Sequence, residues 1–407
     1  MPINLLVILS SAYLISQFYR SSLGVLSPDL MHELFLGPEF MGRLGGVFFL
    51  TFAIAQIPLG ILLDKFGPRK IMSFVIIFSA IGSIIFGCAN TNYMLIAGRA
   101  FMGLGCSVCL MGSLVLITKW ASPDRFATYA GLILGIGGLG GLLATSPLAM
   151  ISHIIGWRNV FFIMSVVTLM VVIIIFLFVR DSKNEPSKKS NNKDFLDVST
   201  VLGLKLIFSN RDFRLMLPMS IMGYASYASI VTLWGGPYLR DIHHLGTVEI
   251  GNVLMLMALS WVFGSFVFGR SDTILNTRKY IVIFGSLGFF LILMIFSFVD
   301  SLPKFLIFSL FLSCGFMGAY SAVLLAHFKS LFPEEYTGRV LTTSNFFNFG
   351  GVFLVQWCMG MIIEYFGGNS MGASQEAYKA AFIFTAFGLL LATLLYAFTK
   401  DIKPRPE

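Results

Sequence analysis

The chain has 407 residues, 57% of them hydrophobic and 12% charged, with a mean hydropathy of +0.84. Soluble domains carry roughly 25% charged residues, so a water-exposed fold is excluded and lipid is the solvent. The net charge of +8 does not indicate nucleic acid, because the cations fall in loops between apolar runs.

A bilayer crossing takes about 20 mostly apolar residues. Twelve spans are expected, near residues 4–28, 40–63, 71–90, 93–118, 127–151, 158–179, 213–237, 249–270, 280–299, 304–328, 340–365 and 378–399. The first run has no basic leader or cleavage site, so it is expected to be a retained span and not a signal peptide. Of the 28 Lys and Arg residues, 21 lie in the even-numbered loops and the C-terminal tail. The other loops and helix ends hold only Arg43, Arg158, Arg240, Lys304 and Lys379, and Arg20 and Arg99 fall within spans. The positive-inside rule then places both termini in the cytoplasm of a multi-pass plasma (inner) membrane protein. Cys88, Cys106, Cys109, Cys314 and Cys358 all lie in apolar stretches, as small packing residues and without a disulfide framework or zinc site.

The polar stretch from Arg180 to Arg214 divides the spans six and six. Its Lys-, Asn- and Ser-rich start reads as a flexible linker, and residues 195–208 as a short amphipathic surface helix. The expected organisation is an N-terminal bundle at 1–180, a linker at 181–212, a C-terminal bundle at 213–400 and a tail at 401–407. A shift of 209 residues aligns Pro28 with Pro237, Gly37 with Gly246, Gly42 with Gly251, Gly60 with Gly269, Arg69 with Arg278 and Lys70 with Lys279. One fixed offset joining these positions indicates two related six-helix bundles in an all-α membrane fold.

Between the second and third spans, Gly60-Ile-Leu-Leu-Asp64-Lys-Phe-Gly67-Pro-Arg69-Lys70 packs a carboxylate, a glycine turn and cations into one loop. This segment resembles the signature loop of the major facilitator superfamily of secondary transporters. Gly98-Arg99-Ala100-Phe101-Met102-Gly103-Leu104-Gly105 is similar to that family's fourth-helix motif. Gly156-Trp157-Arg158 before span six and Pro333 to Arg339 before span eleven also fit its pattern. In span five, Ile136 stands where the family's antiporters carry proline, which argues against an exporter. The resemblance implies the twelve-helix fold, alternating access, and a gating role for Gly60, Asp64, Gly67 and Arg69. In that role Asp64 caps the start of helix eleven, where free backbone N–H groups stabilise a carboxylate.

Charge inside a membrane usually faces a cavity or a partner. Arg20 lies nine residues before Asp29, and Arg99 seven after Asn92. Both therefore sit roughly 10–14 Å below the outer surface. Sequence places no acid at that depth, so an anionic substrate is the expected partner of a guanidinium fork, while for Arg99 the family motif makes a structural or gating role an equal alternative. The stretch around Arg20 also bears a loose similarity to the anion:cation symporter branch. Tyr13 and Gln17 share the Arg20 face. Ser226, Tyr227 and Ser229 follow near the matching face of span seven, with Tyr320 on span ten and Asn345 and Asn348 on span eleven. For the Asn and aromatic positions, helix packing is an equal alternative. Asp29 is the candidate for coupling to a proton or sodium ion. The five histidines, His32, His153, His243, His244 and His327, are expected at the surface, with sensing of external pH by His243 and His244 as the alternative. These features point to a monomeric transporter of a small carboxylate-bearing metabolite, an organic anion or an amino acid, importing by symport or facilitated diffusion. Neutral or drug-like cargo, and a non-transporting receptor on the same fold, are the alternatives. No catalytic set, metal cluster or cofactor motif is found.

Overall fold

Hydrocarbon offers no partner to a backbone N–H or C=O, so each span must close its own hydrogen bonds. The computed structural model is accordingly helical. It describes residues 2–121, 123–181, 205–299, 303–333 and 337–403, the side chains of 64, 123, 124, 127, 337 and 338 excepted. The linker at 182–204 lies outside the described residues. Among the described residues there is no strand, only one isolated bridge between Asn369 and Gly372.

The spans are α1 (Ile3–Glu33), α2 (Pro38–Phe66), α3 (Pro68–Gly87) and α4, made of Asn92–Cys106 and Val108–Trp120. α5 joins Pro123–Leu143 to Ser146–Ile155 through a bend of 44°, and α6 is Trp157–Phe178. α7 runs from Arg211 to Asp241, with a π-helical segment at Ile230–Trp234. Then follow α8 (Thr247–Ile274), α9 (Lys279–Phe298), α10 (Lys304–Ser330, broken at Ala319 and Tyr320), α11 (Thr337–Tyr365) and α12 (Gln375–Tyr396). Ten described helices are long and apolar enough to cross a membrane, and the bent α5 makes eleven. α1, at 31 residues, is long enough to be the twelfth; Ser10, Ser11, Gln17 and Arg20 dilute its apolar character. Starts are marked by side chains that take up orphan N–H groups. The Thr91 hydroxyl accepts from Met94 N, the Asn210 carbonyl from Asp212 N and Phe213 N, and the Ser374 hydroxyl from Ala377 N.

Two contact units emerge: Met1–Leu23 with Val47–Phe195, and Gly24–Gly46 with Leu196–Glu407. Within the first, α3 packs on α4 and α6; within the second, α7 packs on α11 and α12, α8 on α10, and α9 on α12. The third helix thus lies against the sixth in both repeats. The same end of that pair carries a matching cap. Asp181, just past α6, accepts from the Arg69 amide at 2.7 Å. Asp401, past α12, accepts from the Arg278 and Lys279 amides at 3.1 Å and from the Thr277 hydroxyl at 2.6 Å. Arg69 and Arg278 are partners under the 209 shift, so the repeat extends to the capping geometry. Gly67 has φ +82°, and a Cβ there would meet the Asp181 carboxylate at 2.7 Å. Glycine is required on both counts.

In the second unit, the hairpin 24–46 is packed on α7 and α11. A Cβ on Gly236 would stand 2.1 Å from the Gly24 carbonyl oxygen, and one on Gly42 2.5 Å from that of Gln356. The Ser27 hydroxyl donates to the Leu233 carbonyl, inside the π-helical segment. Arg240 pairs with Asp29 at 2.6 Å. The Glu39 amide donates to Glu364, and the Trp357 indole donates to the Glu39 carboxylate.

Burial pushes the Asp401 carboxyl up, but the bonds from Thr277, Lys279 and Arg278 outweigh it and leave its pKa below the usual value. A depressed carboxylate stabilises the fold above its unfolded pKa of about 3.9, and that contribution fades as pH falls through the lower folded value. Asp401→Ala should therefore cost roughly 0.5–2 kcal/mol at pH 7, the range for a lost helix cap. Thermal unfolding in detergent checks this: the gap from the parent should narrow below about pH 4, and a gap independent of pH refutes the capping role.

Candidate functional site

In the first unit the polar face of α1 runs Ser10, Tyr13, Gln17, Arg20, at spacings that share one side of a helix. Among the described residues, the Ser10 hydroxyl and the Gln17 carbonyl oxygen are buried without a hydrogen-bond partner. Arg20 is 7% exposed, and its guanidinium carbon lies 4.9 Å from the Phe52 ring centroid on α2. A cation over an aromatic face is attracted by the ring quadrupole, more so when desolvated. Tyr13 also packs on α5, where a Cβ on Gly137 would come 2.0 Å from its ring.

Arg99 is fully buried. Its Nη1 donates to the Tyr19 carbonyl at 2.8 Å, and its guanidinium carbon lies 4.8 Å from the Phe48 centroid. It reaches α1 at the residue just before Arg20. Tyr19 is itself held: its hydroxyl bonds Thr168 on α6 at 3.1 Å, and its ring stacks on Phe161. Arg99 thus ties α4 to α1 and, through Tyr19, to α6.

In the second unit, Ser226 spends its donor on the Met222 carbonyl at 2.7 Å. The Ser229 hydroxyl and the Tyr320 hydroxyl are buried without a partner among the described residues. Tyr227 is buried and stacks on Trp261 of α8, a residue the sequence reading did not select. Asn345 and Asn348 are half-buried on α11. Gln356 of the same helix donates to the Thr232 hydroxyl at 2.9 Å, and its backbone carbonyl accepts from the Trp234 indole at 3.1 Å. That makes it a tie between α7 and α11.

Of the expected gate, the Arg69 amide donates to Asp181, whose carboxylate packs against Gly67, and Arg69 Nε donates to the Phe176 carbonyl. A Cβ on Gly60 would meet no described atom within 4 Å. The Asp64 side chain and residues 334–336 lie outside the described residues. Asp29 is engaged by Arg240, with the Thr247 hydroxyl at 3.5 Å.

The histidine expectation needs correction at one position. His327 is wholly buried, its Nδ1 at 2.6 Å from the Tyr396 hydroxyl and its Nε2 at 3.0 Å from the Lys400 carbonyl. The break in α10 and the return of α12 bury a residue that the linear span end suggested was exposed. His243 is half-buried against Tyr238. Burial, then the neighbouring His244 charge, hold its pKa below the ordinary value, so it charges only under acid conditions. A cavity of about 380 Å³ opens at the start of α1, between Trp120 and Arg180, and none of the expected site residues lines it. No group of three His, Cys, Asp or Glu that could hold a metal is found among the described residues.

Comparison with known proteins adds three findings. The sequence model described as Major Facilitator Superfamily matches residues 9–275 and 271–407. The chain is 24% identical over 270 residues to the "Probable L-galactonate transporter" of Escherichia coli (strain K12), covering 64% of this chain and 58% of that protein. It is 25% identical over 277 residues to the "Sialic acid transporter NanX" of the same organism, covering 67% and 62%. The chain therefore spans less than two thirds of the length of these relatives. Among solved structures, a bacterial homolog of the human lysosomal transporter Spinster shares the fold, with a TM-score of 0.80 at 16% identity over 98% of this chain and 97% of that one.

The two arginines separate experimentally. Arg99→Ala removes a charged hydrogen bond between helices, which costs roughly 1.5–3 kcal/mol. Its melting temperature should fall, while ligand affinity of the folded protein stays within about threefold, since an untouched contact leaves binding energy nearly unchanged. Tenfold weaker binding with an unchanged melting temperature overturns the clamp role.

Proposed function

The chain belongs to the Major Facilitator Superfamily, and on that premise we propose that it is a secondary transporter importing a small carboxylate-bearing metabolite by alternating access. The observation that carries this is the buried Arg20 guanidinium over Phe52, at the end of a polar face whose Gln17 carbonyl oxygen has no partner among the described residues. A planar guanidinium offers two parallel donors that match a carboxylate. The relatives named for L-galactonate and sialic acid support an acid cargo. A third, the "Probable galactarate/D-glucarate transporter GudP" of Bacillus subtilis (strain 168), does so as well. The charge asymmetry supports cytoplasmic termini, with the Asp29–Arg240 end outside.

Purified protein screened by thermal shift against carboxylates, followed by uptake into proteoliposomes, tests the reading. Arg20→Ala should cost about 2–5 kcal/mol of binding, as for truncating one partner of a buried charge pair. Arg20→Lys should recover only part, because lysine keeps the charge and loses the fork. Arg20→Gln should erase any preference for acids over neutral analogues. Three variants that bind like the parent make Arg20 structural and remove the main support for an anion.

We assign coupling to Asp29. Asp29 is the acid that pairs with Arg240 and so helps hold the hairpin. An inward pH gradient should accelerate uptake by the parent and not by Asp29→Asn; equal acceleration of both sinks the assignment.

A further inference from the structure

The ends of three helices of the first unit enclose a cavity that takes no part in the site described above. It holds about 380 Å³ and is lined by Asn4, Leu5 and Ile8 of α1, Trp120 at the end of α4, and Phe178 and Arg180 at the end of α6. That volume falls at the low end of the roughly 300–1,000 Å³ typical of small-ligand sites. Its wall mixes apolar surface with one charge. Leu5 is buried, Ile8 half-buried and Phe178 71% exposed. The apolar part continues onto α6, where Ile173 and Leu177 are exposed as well. Arg180 is held at its backbone and open at its side chain. The Trp120 indole donates to its carbonyl at 2.9 Å, which fixes where the guanidinium starts. The residue is exposed, and among the described residues no carboxylate lies within ion-pair distance of it. The neighbouring Asp181 carboxylate is turned to the Arg69 amide, from which it accepts at 2.7 Å. Arg69, its guanidinium over Phe176, and the exposed Lys119 add positive charge near the same helix ends.

A guanidinium is a two-point donor that fits phosphate, and basic pockets between membrane helices take anionic lipid headgroups. The apolar lining selects the source of the phosphate. A soluble anion gains nothing from Leu5, Ile8 and Phe178, whereas a phospholipid lays a chain on them. The charge of the lining selects the headgroup. Choline and ethanolamine carry a cation of their own, which Arg180 repels and which no acid among the described lining residues neutralises. We propose that this cavity is a binding site for the headgroup of an anionic phospholipid. Arg180 holds the phosphate, Asn4 is at hand for headgroup hydroxyls, and the start of an acyl chain runs along Leu5, Ile8 and Phe178. A lipid seated there touches α1, α4 and α6 at once, so it stabilises the unit as any ligand of the folded state does. The inference is independent of the cargo reading, because Arg20 and its polar face do not line this cavity.

The test uses purified full-length protein, stripped of lipid in detergent and titrated with dioleoylphosphatidylglycerol or dioleoylphosphatidylcholine. Bound lipid is counted by native mass spectrometry, and melting temperature is followed in parallel. The parent should bind phosphatidylglycerol about fivefold more tightly than phosphatidylcholine, the effect of roughly one basic residue facing an anionic lipid, and its melting temperature should rise with occupancy. Arg180→Gln changes an exposed side chain and should fold like the parent while binding the two lipids equally. Ile8→Trp, which fills the cavity, should weaken both. Lys119→Gln removes a nearby cation that does not line the cavity and should keep the preference. Equal binding of the two lipids by the parent, or a preference that survives Arg180→Gln, overturns the site. A preference lost as fully in Lys119→Gln as in Arg180→Gln reduces the effect to general surface charge and overturns it too. Displacement of phosphatidylglycerol by an equal concentration of inorganic phosphate makes this a site for a soluble anion and overturns the lipid assignment.

Discussion

Inside a bilayer a stray polar atom has nothing to bond with, and most of this structure follows from that constraint. Serine and threonine hydroxyls turn back on their own helices, as Ser113 does to Cys109, Thr232 to Ala228 and Thr393 to Leu389. Arg99 is tolerated at full burial because a backbone carbonyl takes one of its donors and an aromatic face lies under its charge. Exceptions among the described residues are spread over both units, Ser73, Ser229 and the Gln356 side-chain oxygen among them. Gln17 and Ser10 lie on the Arg20 face, and Tyr320 and Trp261 lie about Tyr227.

The two repeats solve one problem with one device. A third helix that starts at a membrane surface leaves orphan N–H groups, and an acid following the sixth helix supplies the acceptor. Asp181 and Asp401 do this at positions 69 and 278. The copies differ in detail: the first needs a left-handed glycine, Gly67, to admit the carboxylate, and the second adds the Thr277 hydroxyl. The degenerate second loop therefore keeps its cap while losing its glycine turn.

Much of this was legible from residue order. Apolar runs of about 20 residues located the spans, because bilayer thickness fixes helix length, and the 209 shift found the repeat. What escaped has a common cause. The role of Arg99 depends on which carbonyl it reaches, and Tyr19 lies 80 positions away. Trp261 looks like any lipid-facing aromatic until its stack on Tyr227 and its unbonded nitrogen are seen. His327 sits near a span end, where sequence suggests water, yet Tyr396 and Lys400 enclose it. Depth along a helix is written in the sequence; which face meets which neighbour is not. A better signal for Trp261 was its count: only five tryptophans occur in the chain, and tryptophans away from membrane interfaces call for a partner at Nε1.

The hairpin 24–46 shows why a transporter would keep such contacts modest. Its ion pair leaves the Arg240 and Asp29 side chains 30% and 37% exposed, and exposed pairs contribute only about 0–1 kcal/mol. Gly24 and Gly236 bring backbones together without interlocking side chains, and Ser27 adds a single hydrogen bond. None of these is a deeply buried charge, whose separation would be costly. Each can part and re-form, so a small differential affinity for one state is enough to shift the balance. α1 is one continuous helix, with Arg20 and Asp29 nine residues, or roughly 14 Å, apart along its axis. On the proposed reading, a ligand at Arg20 acts on the same stiff helix that carries Asp29 of this tie.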